Sequence, residues 1–292
     1  MHVGGHEQRE EIRRRLYAYR EQRVRPGLDD KRLASWNALA IAAFAEAGAV
    51  LERADYLDAA GRAAGFVLES LRDGEGRLLR TWKDGRGRLN AYLEDHSFLL
   101  EALLTLYESS FDPRWFAEAR ALADTTIQRF ADEEQGGFFE TSTDHERLLA
   151  RRKDLEDHPI PSGNASAAYG LLRLAALTGE EGYAERGVGV LRLLHELAAK
   201  HPQAFGHLLQ ALDFQLAPVK EVALVGDDLA PLERVVRGAF RPHVVLAGGA
   251  ADGVPLLQDR PPVDGRAAAY VCERFACKAP VTEPGELERL LS

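Results

Sequence analysis

Three stretches of the chain share one pattern, and this repetition limits the possible folds more than any other feature. Each stretch has a small polar cluster, then an apolar run long enough for a helix, then a second, more amphipathic helix pattern. The apolar segments are SWNALAIAAFAEAGAVL, EDHSFLLEALLTLYE and SGNASAAYGLLRLAAL. The amphipathic segments are ADYLDAAGRAAGFVLESL, DPRWFAEARALADTTIQRF and EEGYAERGVGVLRLLHEL. Helices that are apolar on nearly all sides must be enclosed by others, so the pattern predicts stacked hairpins with inner and outer helices.

The amphipathic helices also resemble one another, because each has an aromatic residue followed four positions later by a small one. The pairs are Tyr56 with Ala60, Trp115 with Ala119, and Tyr183 with Gly187. Such a pair forms a knob beside a gap, which suits packing of one helix on another. The two long links that return to the next inner helix are rich in glycine. Their alternating segments, such as residues 78–82, predict short β-hairpins over one end of the helices.

The chain changes character near Pro218, which predicts a helical region over residues 1–217 and a small α/β region over residues 218–292. KEVALVGDD, LAPLERVVRGAF and RPHVVLAGG indicate strand, helix and strand, and AAAYVCERFACK indicates another strand. We expect Thr282 to cap a short terminal helix. The turn at residues 225–228 contains one glycine and no dinucleotide or P-loop fingerprint, so no cofactor is expected.

The two cysteines, Cys272 and Cys277, are predicted to be free thiols. Cysteines five residues apart on one continuous strand point to opposite faces and lie about 16 Å apart, too far for a disulfide. Their spacing also differs from that of a redox dithiol, and no histidine or cysteine pair stands nearby to complete a zinc site. No metal site is expected elsewhere in the sequence.

Charge and hydropathy exclude several classes of partner. The 292 residues include 46 acidic and 37 basic side chains, for a net charge of -9, which disfavours binding to nucleic acid or anionic lipid. No apolar run approaches the roughly 20 residues of a membrane span, and the N-terminus lacks a signal-peptide core. We therefore expect a cytoplasmic protein with no membrane partner.

Inner helices that start at the same end would bring their polar N-terminal clusters together around one concavity. The clusters contain Asp30, Trp36, Asn37, Glu94, Asp95, His96, Asp157, Ser162, Asn164 and, at the start of a further apolar helix, His207. Unpaired N–H groups there add positive potential. The concavity is predicted to suit a polar, hydroxyl-rich ligand.

Several segments resemble a known family. RVRPGLDDKRLASWNALAIAAFAEAG, YLEDHSFLLEALLTLYE, IPSGNASAAYGLLRLAALTG and AYVCERFACKAPVTEPGEL resemble the thioredoxin-domain-containing proteins of the spermatogenesis-associated type and their bacterial relatives. The resemblance covers almost the whole chain. It implies an (α/α)6 toroid like that of N-acylglucosamine 2-epimerases and six-hairpin glycosidases, behind an N-terminal thioredoxin-like domain that this chain lacks. About eight helices are expected where a closed toroid has twelve, so the predicted fold is mainly α: an incomplete (α/α)6 toroid of helical hairpins with β-hairpin links, plus a small C-terminal α/β unit.

Acid–base chemistry on such an architecture would need proton donors and acceptors in the concavity. Asp95 is expected to be a cap, which leaves Glu94 and His96 as catalytic candidates, with His207 facing His96 across the concavity. Trp36 would stack on a sugar, while Asp30, Asn37, Asp157, Ser162 and Asn164 would bind its hydroxyls. Each residue has a structural alternative: Ser162 and Asn164 are good N-caps, and lone histidines and tryptophans are more often part of a core.

Two functions remain open at this point. The first is a carbohydrate-active enzyme, or part of one, most like an N-acylglucosamine 2-epimerase and acting on a mono- or disaccharide. The second is a noncatalytic scaffold or sugar-binding module that works with a separate thioredoxin-like domain. In either case, missing hairpins should leave an apolar open edge, which predicts a homodimer or a second polypeptide that supplies them.

Overall fold

The computed structural model describes residues 4–146, 149–251 and 253–292. Two compact units separate at Lys31 and Arg32. The first contains the helix α1, Gly4–Glu21, whose charged surface carries ion pairs one turn apart, such as Arg13 with Glu10. The second, Arg32–Ser292, holds all the remaining elements.

Seven helices form two layers in this second unit. In chain order they are α2 (Ala34–Val50), α3 (Ala54–Ser70), α4 (Leu93–Ser110), α5 (Pro113–Phe130), α6 (Gly163–Thr178), α7 (Glu181–Lys200) and α8 (Gly206–Leu216). The helices α2, α4, α6 and α8 pack side by side as an inner layer, and α3, α5 and α7 each pack outside the inner helix that precedes them. This is the predicted incomplete (α/α)6 toroid. With α1, the described chain has eight helices before residue 217, as expected.

Small residues set the distance between the layers. A Cβ atom on Gly187 of α7 would lie 2.9 Å from Leu172 Cγ and 3.0 Å from the Ala168 carbonyl oxygen, both on α6. Ala60 and Ala119 are likewise fully buried. Trp115 and Tyr183, one turn before their small partners, are also buried, as the repeated pattern predicted.

One of the two long links forms the predicted hairpin. Strands β1 (Arg32–Leu33), β2 (Leu79–Lys83) and β3 (Arg86–Asn90) make an antiparallel sheet in that order. In the second link, residues 131–162, the hairpin prediction is wrong: the described part contains no strand and one isolated bridge, Ala131 to Phe138. Side chains hold this link instead, including Lys153, whose Nζ donates to the Gly136 carbonyl at 2.6 Å.

The C-terminal region contains the predicted βαβ unit. Its elements are β4 (Lys220–Val225), α9 (Ala230–Arg237), β5 (Val244–Gly248), β6 (Ala268–Glu273), β7 (Ala276–Cys277) and α10 (Pro284–Leu291). The sheet order is β5-β4-β6-β7, with β4 and β5 parallel. Gly248 at the end of β5 packs against the ring of Phe111, the residue after α4. The predicted domain boundary between residues 217 and 218 stays a prediction.

The prediction of free thiols is wrong. The segment that we interpreted as one strand turns back on itself at Arg274 and Phe275, so Cys272 on β6 pairs with Cys277 on β7, and the two form a disulfide. The cap prediction for Thr282 is also wrong, because Glu283 precedes α10 and no side chain caps that helix.

Within the described residues, no helix combines the length and the hydropathy that a membrane crossing requires. The cytoplasmic location stays a prediction.

Candidate functional site

The N-termini of the four inner helices lie together, and one carboxylate joins the first two. Asp95, in the first turn of α4, is fully buried. One of its oxygens accepts from the Ser35 backbone N–H of α2 at 3.0 Å, and the other accepts from the Tyr92 N–H at 2.9 Å. Arg80 on β2 donates to the second oxygen at 3.1 Å. Burial nevertheless outweighs these contacts and raises the pKa of Asp95 to about 6. The expected capping role of Asp95 is confirmed, and it extends to a second helix.

Asp157 joins the other two inner helices in the same way. Its carboxylate accepts from the backbone N–H of Ser162, the N-cap of α6, at 2.8 Å. It also accepts from the N–H of His207, in the first turn of α8, at 2.7 Å. Each bridge therefore supplies acceptors for N–H groups that helix geometry leaves without partners. A ligand contact for the half-buried Asp157 stays a prediction.

The side chains of Ser162 and Asn164 are buried and bonded to the backbone, and their predicted ligand contacts stay predictions. The Ser162 hydroxyl accepts from the Ala165 N–H at 3.1 Å as the cap of α6. Asn164 is fully buried; it accepts from the Phe138 N–H at 2.8 Å and donates to the carbonyls of Phe138 and Asp154. Both residues fix the second link onto α6, which is the structural alternative that the sequence left open.

His96 does not face His207, so the predicted pair is wrong. The His96 ring lies on the outer side of α4, 4.8 Å from the ring of Phe130 on α5, and Nδ1 contacts the Tyr92 carbonyl oxygen at 3.1 Å. Burial lowers the pKa of His96 to about 4. The buried imidazole packs as the structural alternative would have it, and a catalytic role for His96 stays a prediction.

The other residues of the predicted site are more accessible. Glu94 pairs with Arg80 at 2.8 Å beside the start of α6, with roughly a quarter of its side chain exposed. Asn37 donates from Nδ2 to the Leu33 carbonyl at 2.7 Å, and Trp36 is exposed on α2. Asp30 belongs to the other compact unit, so its place in the site stays a prediction.

A cleft of about 620 Å³ lies along the inner helices, further from their N-termini than the residues that the sequence singled out. Its walls include Glu46 of α2, Glu101 and Glu108 of α4, and Tyr169 and Arg173 of α6, and residues 238–242 close one side. Sequence reasoning missed this set. A usable signal existed, because Glu101 and Glu108 follow Glu94 at intervals of seven residues, which places all three on one helix face.

Glu101, in the wall of this cleft, forms an ion pair with His207, which lies behind it. His207 Nε2 lies 2.9 Å from Glu101 Oε1, which also accepts from the Ser166 hydroxyl. The edge of the Tyr169 ring packs on the imidazole at 5.6 Å between centroids. Burial disfavours the charged imidazole, but Glu101 and Asp157 together raise the pKa of His207 above its usual value. The neighbouring carboxylates therefore favour the protonated imidazole.

A second ion pair lies further along the cleft. The buried Arg173 donates to Glu108 Oε2 at 2.8 Å and to the Thr105 hydroxyl at 3.2 Å. Burial opposes the charge on Arg173, but Glu108 outweighs it and the pKa of Arg173 is raised. Among the residues that the structure describes, no cluster of three or more His, Cys, Asp and Glu side chains could hold a metal ion.

Comparison with known proteins identifies relatives of the chain. No family model matches it. Human spermatogenesis-associated protein 20 is 33% identical over 300 residues, which cover 95% of this chain and 38% of the human protein. The chain is a homologue of spermatogenesis-associated protein 20. The rat protein of that name is 34% identical over 303 residues, again 95% of this chain and 38% of the relative. The present homologue thus spans less than half the length of the curated relatives that it matches.

Solved structures similar to this homologue of spermatogenesis-associated protein 20 include a cellobiose 2-epimerase from Bacillus thermoamylovorans, with 17% identity and a TM-score of 0.48. That match covers 57% of this chain and 45% of the epimerase. An α-mannanase of family GH76 from Bacteroides thetaiotaomicron has 15% identity and a TM-score of 0.48, over 60% of this chain and 47% of the mannanase. Both likenesses concern the fold alone.

Proposed function

We propose that the cleft binds a mono- or disaccharide and that Glu101, positioned by His207, exchanges a proton with it, as a sugar isomerase of the 2-epimerase type requires. The observation that carries the proposal is the contact of 2.9 Å between Glu101 and His207 in the wall of the cleft. A carboxylate of α4 in contact with an imidazole of α8, one on each side of α6, is suited to proton transfer.

The lining of the cleft supports a neutral, hydroxyl-rich ligand. Carboxylates at Glu46 and Glu101 accept hydrogen bonds, Gln210 can donate and accept, and the Tyr169 ring provides an apolar face. The volume of about 620 Å³ is in the range of small-molecule sites. The positive charge of Arg173 is already paired with Glu108, so it does not favour an anionic ligand.

The chemistry assigned to the pair is proton removal beside a carbonyl. Glu101, which lines the cleft, takes the proton from the carbon next to the carbonyl of an open-chain sugar and leaves an enediolate, whose negative charge rests on the former carbonyl oxygen. Rotation of the enediolate turns its opposite face to Glu101, and return of the proton to that face gives the 2-epimer. His207 lies behind Glu101 and donates its imidazole proton to Oε1, which orients and stabilises the carboxylate before it takes the sugar proton and after it has returned it. Asp157 fixes the start of α8 and therefore the position of His207. In this assignment Glu101 is the catalytic residue and His207 a positioning residue. Glu94, one of the catalytic candidates from the sequence, lies two turns before Glu101.

The alternative is a noncatalytic sugar-binding module that works with another domain. The observation that favours it is the inner layer, which has four helices in the described part of the chain and leaves the cleft open along one side. Ligand binding without proton exchange would distinguish this module from an isomerase.

Proton exchange can be tested directly. The protein is incubated in deuterated buffer with N-acetylglucosamine, glucose or cellobiose, and proton NMR follows the signal at the carbon next to the carbonyl. We expect loss of that signal with the wild type and a loss of exchange of about a hundredfold or more with Glu101→Gln. His207→Gln should lower the rate and shift its pH profile.

Exposed residues of the outer helix α7 supply matched controls, Glu196→Gln and His195→Gln, which should retain the wild-type rate. Saturation-transfer NMR reports binding in the same samples. Binding without exchange in the wild type contradicts the isomerase and supports the binding module. Absence of both binding and exchange for all three sugars contradicts both.

A further inference from the structure

We propose that the disulfide between Cys272 and Cys277 is a site of reversible thiol–disulfide exchange with a protein dithiol, and that Cys277 is the sulfur that the partner attacks. The disulfide lies on the hairpin of β6 and β7, away from the cleft residues. Nothing in the proposed sugar chemistry uses it.

Access to the two sulfurs is unequal. Cys272 is 1% exposed, because β6 pairs with β4 on one side and with β7 on the other. Cys277 is exposed, because β7 has two residues and forms the edge of the sheet. A thiolate approaching from solvent therefore reaches Cys277 first, and Cys272 becomes the leaving group.

A guanidinium lies beside both sulfurs. Arg260 Nη2 is 3.2 Å from Cys277 Sγ and 3.8 Å from Cys272 Sγ, while Nη1 donates to the Gln258 carbonyl at 2.9 Å and so holds the group in place. Arg260 Nε is buried and has no hydrogen-bond partner among the described residues, so a further donor is available. Positive charge beside a thiolate lowers its pKa, and a leaving thiol of lower pKa leaves faster.

The exchange proceeds in two displacements that balance. The partner's thiolate attacks Cys277 Sγ, the bond between the two cysteines breaks, and Cys272 leaves as a thiolate beside Arg260 and takes up a proton. The partner's second thiolate then attacks the partner's first sulfur in the mixed disulfide, and Cys277 leaves as a thiolate and takes up a proton. Two electrons pass from the partner to this chain, and the partner is left with a disulfide.

The tip of the hairpin connects this exchange to the rest of the fold. Arg274 and Phe275 have φ values of 51° and 62°, a backbone conformation that is unfavourable for residues other than glycine. The Phe275 N–H donates to the buried Glu221 at 2.7 Å, and its ring packs against Gly179 at the end of α6. Loss of the cross-link therefore loosens a contact between the C-terminal sheet and the helical layer.

Reduction in the folded state is the first test. The native protein is incubated with dithiothreitol, and samples taken over time are quenched with an alkylating reagent. Mass spectrometry then gives the mass of the intact chain in each sample. We expect both cysteines to become alkylated while circular dichroism stays unchanged, and oxidised dithiothreitol to restore the disulfide. Reduction only at the rate of global unfolding, measured in the same buffer, would overturn the proposal.

Single variants test which sulfur is attacked. Cys272→Ser leaves Cys277 as a thiol, which should react with dithionitrobenzoate about tenfold or more faster than the Cys272 thiol left by Cys277→Ser. Arg260→Gln should slow reduction of the disulfide by about threefold to tenfold, while Arg289→Gln on α10 should leave it unchanged. Equal reactivity of the two thiols, or no effect of Arg260→Gln, contradicts the assigned roles. The time course of the wild-type protein tests reduction of the disulfide without any variant.

Discussion

At the residue scale, the opening turns of the inner helices explain why titratable groups are concentrated beside apolar segments. Asp95 and Asp157 each bind backbone N–H groups of two helices, and His96 fills a space against Phe130. Their acid–base character is incidental to these roles. The pair that we propose for proton transfer, Glu101 and His207, lies further along α4 and at the start of α8.

Replacement of Asp95 by asparagine should destabilise the fold by about 2–4 kcal/mol. An amide has one oxygen, so either the Ser35 or the Tyr92 N–H would face another donor, and Arg80 would lose a charged partner. Urea unfolding at pH 7 measures the change. Asp58→Asn, at an exposed position on α3, is the control and should stay within about 0.5 kcal/mol of the wild type. Equal stability of the two variants would contradict the bridge.

His96 should make stability fall in mild acid. Burial lowers its folded-state pKa to about 4, below the unfolded value of about 6.5, so protons bind the unfolded chain more tightly between these values. The fold should lose about 2 kcal/mol from this group between pH 7 and pH 5. Urea unfolding at both pH values, for the wild type and for His96→Gln, isolates the effect, because the variant should show a smaller loss. The same loss in both proteins would mean that the imidazole titrates normally.

At the element scale, the sequence predicts helices well where side chains alone specify them. The pairs of aromatic and small residues indicated how α5 and α7 pack, since an enclosed helix surface needs a gap for each knob. The conformation of the second link, residues 131–162, was not predictable in the same way. Its backbone is held by Asn164 and Lys153, which lie 26 and 17 residues from their partners Phe138 and Gly136.

The cysteine hairpin was missed for a related reason. Two-residue turns with positive φ are normally indicated by Asn-Gly or Asp-Gly, and here Arg274 and Phe275 occupy both positions. Alternation on either side of the turn then resembles one continuous strand. The contact of Phe275 with Glu221 supports the turn, but 54 residues separate the two in sequence.

Two glycines of α7 give a matched test of helix packing. Gly187→Ala should destabilise the fold by about 1–3 kcal/mol, because the added methyl group would overlap Leu172 and the Ala168 carbonyl. Gly189→Ala places its methyl group where nothing described lies within 4 Å, so it should stabilise the fold by about 0.5–1 kcal/mol through helix propensity. Chemical denaturation separates the two variants. Stabilisation by both substitutions would mean that α6 and α7 lie further apart than the structure shows.

At the scale of the whole molecule, α2 ends the inner layer with an apolar face. Trp36, Phe44 and Val50 lie within about 120° of the helix circumference and are exposed in the unit of residues 32–292, as is Leu51 just beyond the helix. The predicted open edge of the toroid therefore has a definite location. Its occupant, a second copy or another polypeptide, is still a proposal.

Self-association through α2 is the expected result for the isolated chain. Light scattering over a dilution series should show a dimer that dissociates, and Trp36→Glu combined with Phe44→Glu should give a monomer at every concentration. Glu196→Gln on the outer surface is a control that should still dimerise. A wild-type monomer with unchanged helicity at all concentrations would contradict association through this edge.

The predictability of the site differs from that of the fold. The sequence predicted correctly that the inner helices start at the same end, and it therefore placed Glu94, Asn164 and His207 at that end. Which side each of them faces depends on α5, α7 and the links, and one helix turn decides between the cleft and the core. His96 and Glu101, five residues apart on α4, therefore face different partners, Phe130 and His207.

The two bridging carboxylates also determine the charge balance of the inner layer. Each helix N-terminus carries the equivalent of roughly half a positive charge, so two neighbouring helices present about one unit. Asp95 supplies one negative charge to α2 and α4, and Asp157, when ionised, does the same for α6 and α8. Many helix N-termini attract phosphate, but here the two carboxylates already occupy backbone N–H groups that a phosphate would use. We therefore expect the opening turns of the inner layer to attract a phosphate group less than helix N-termini without such carboxylates would.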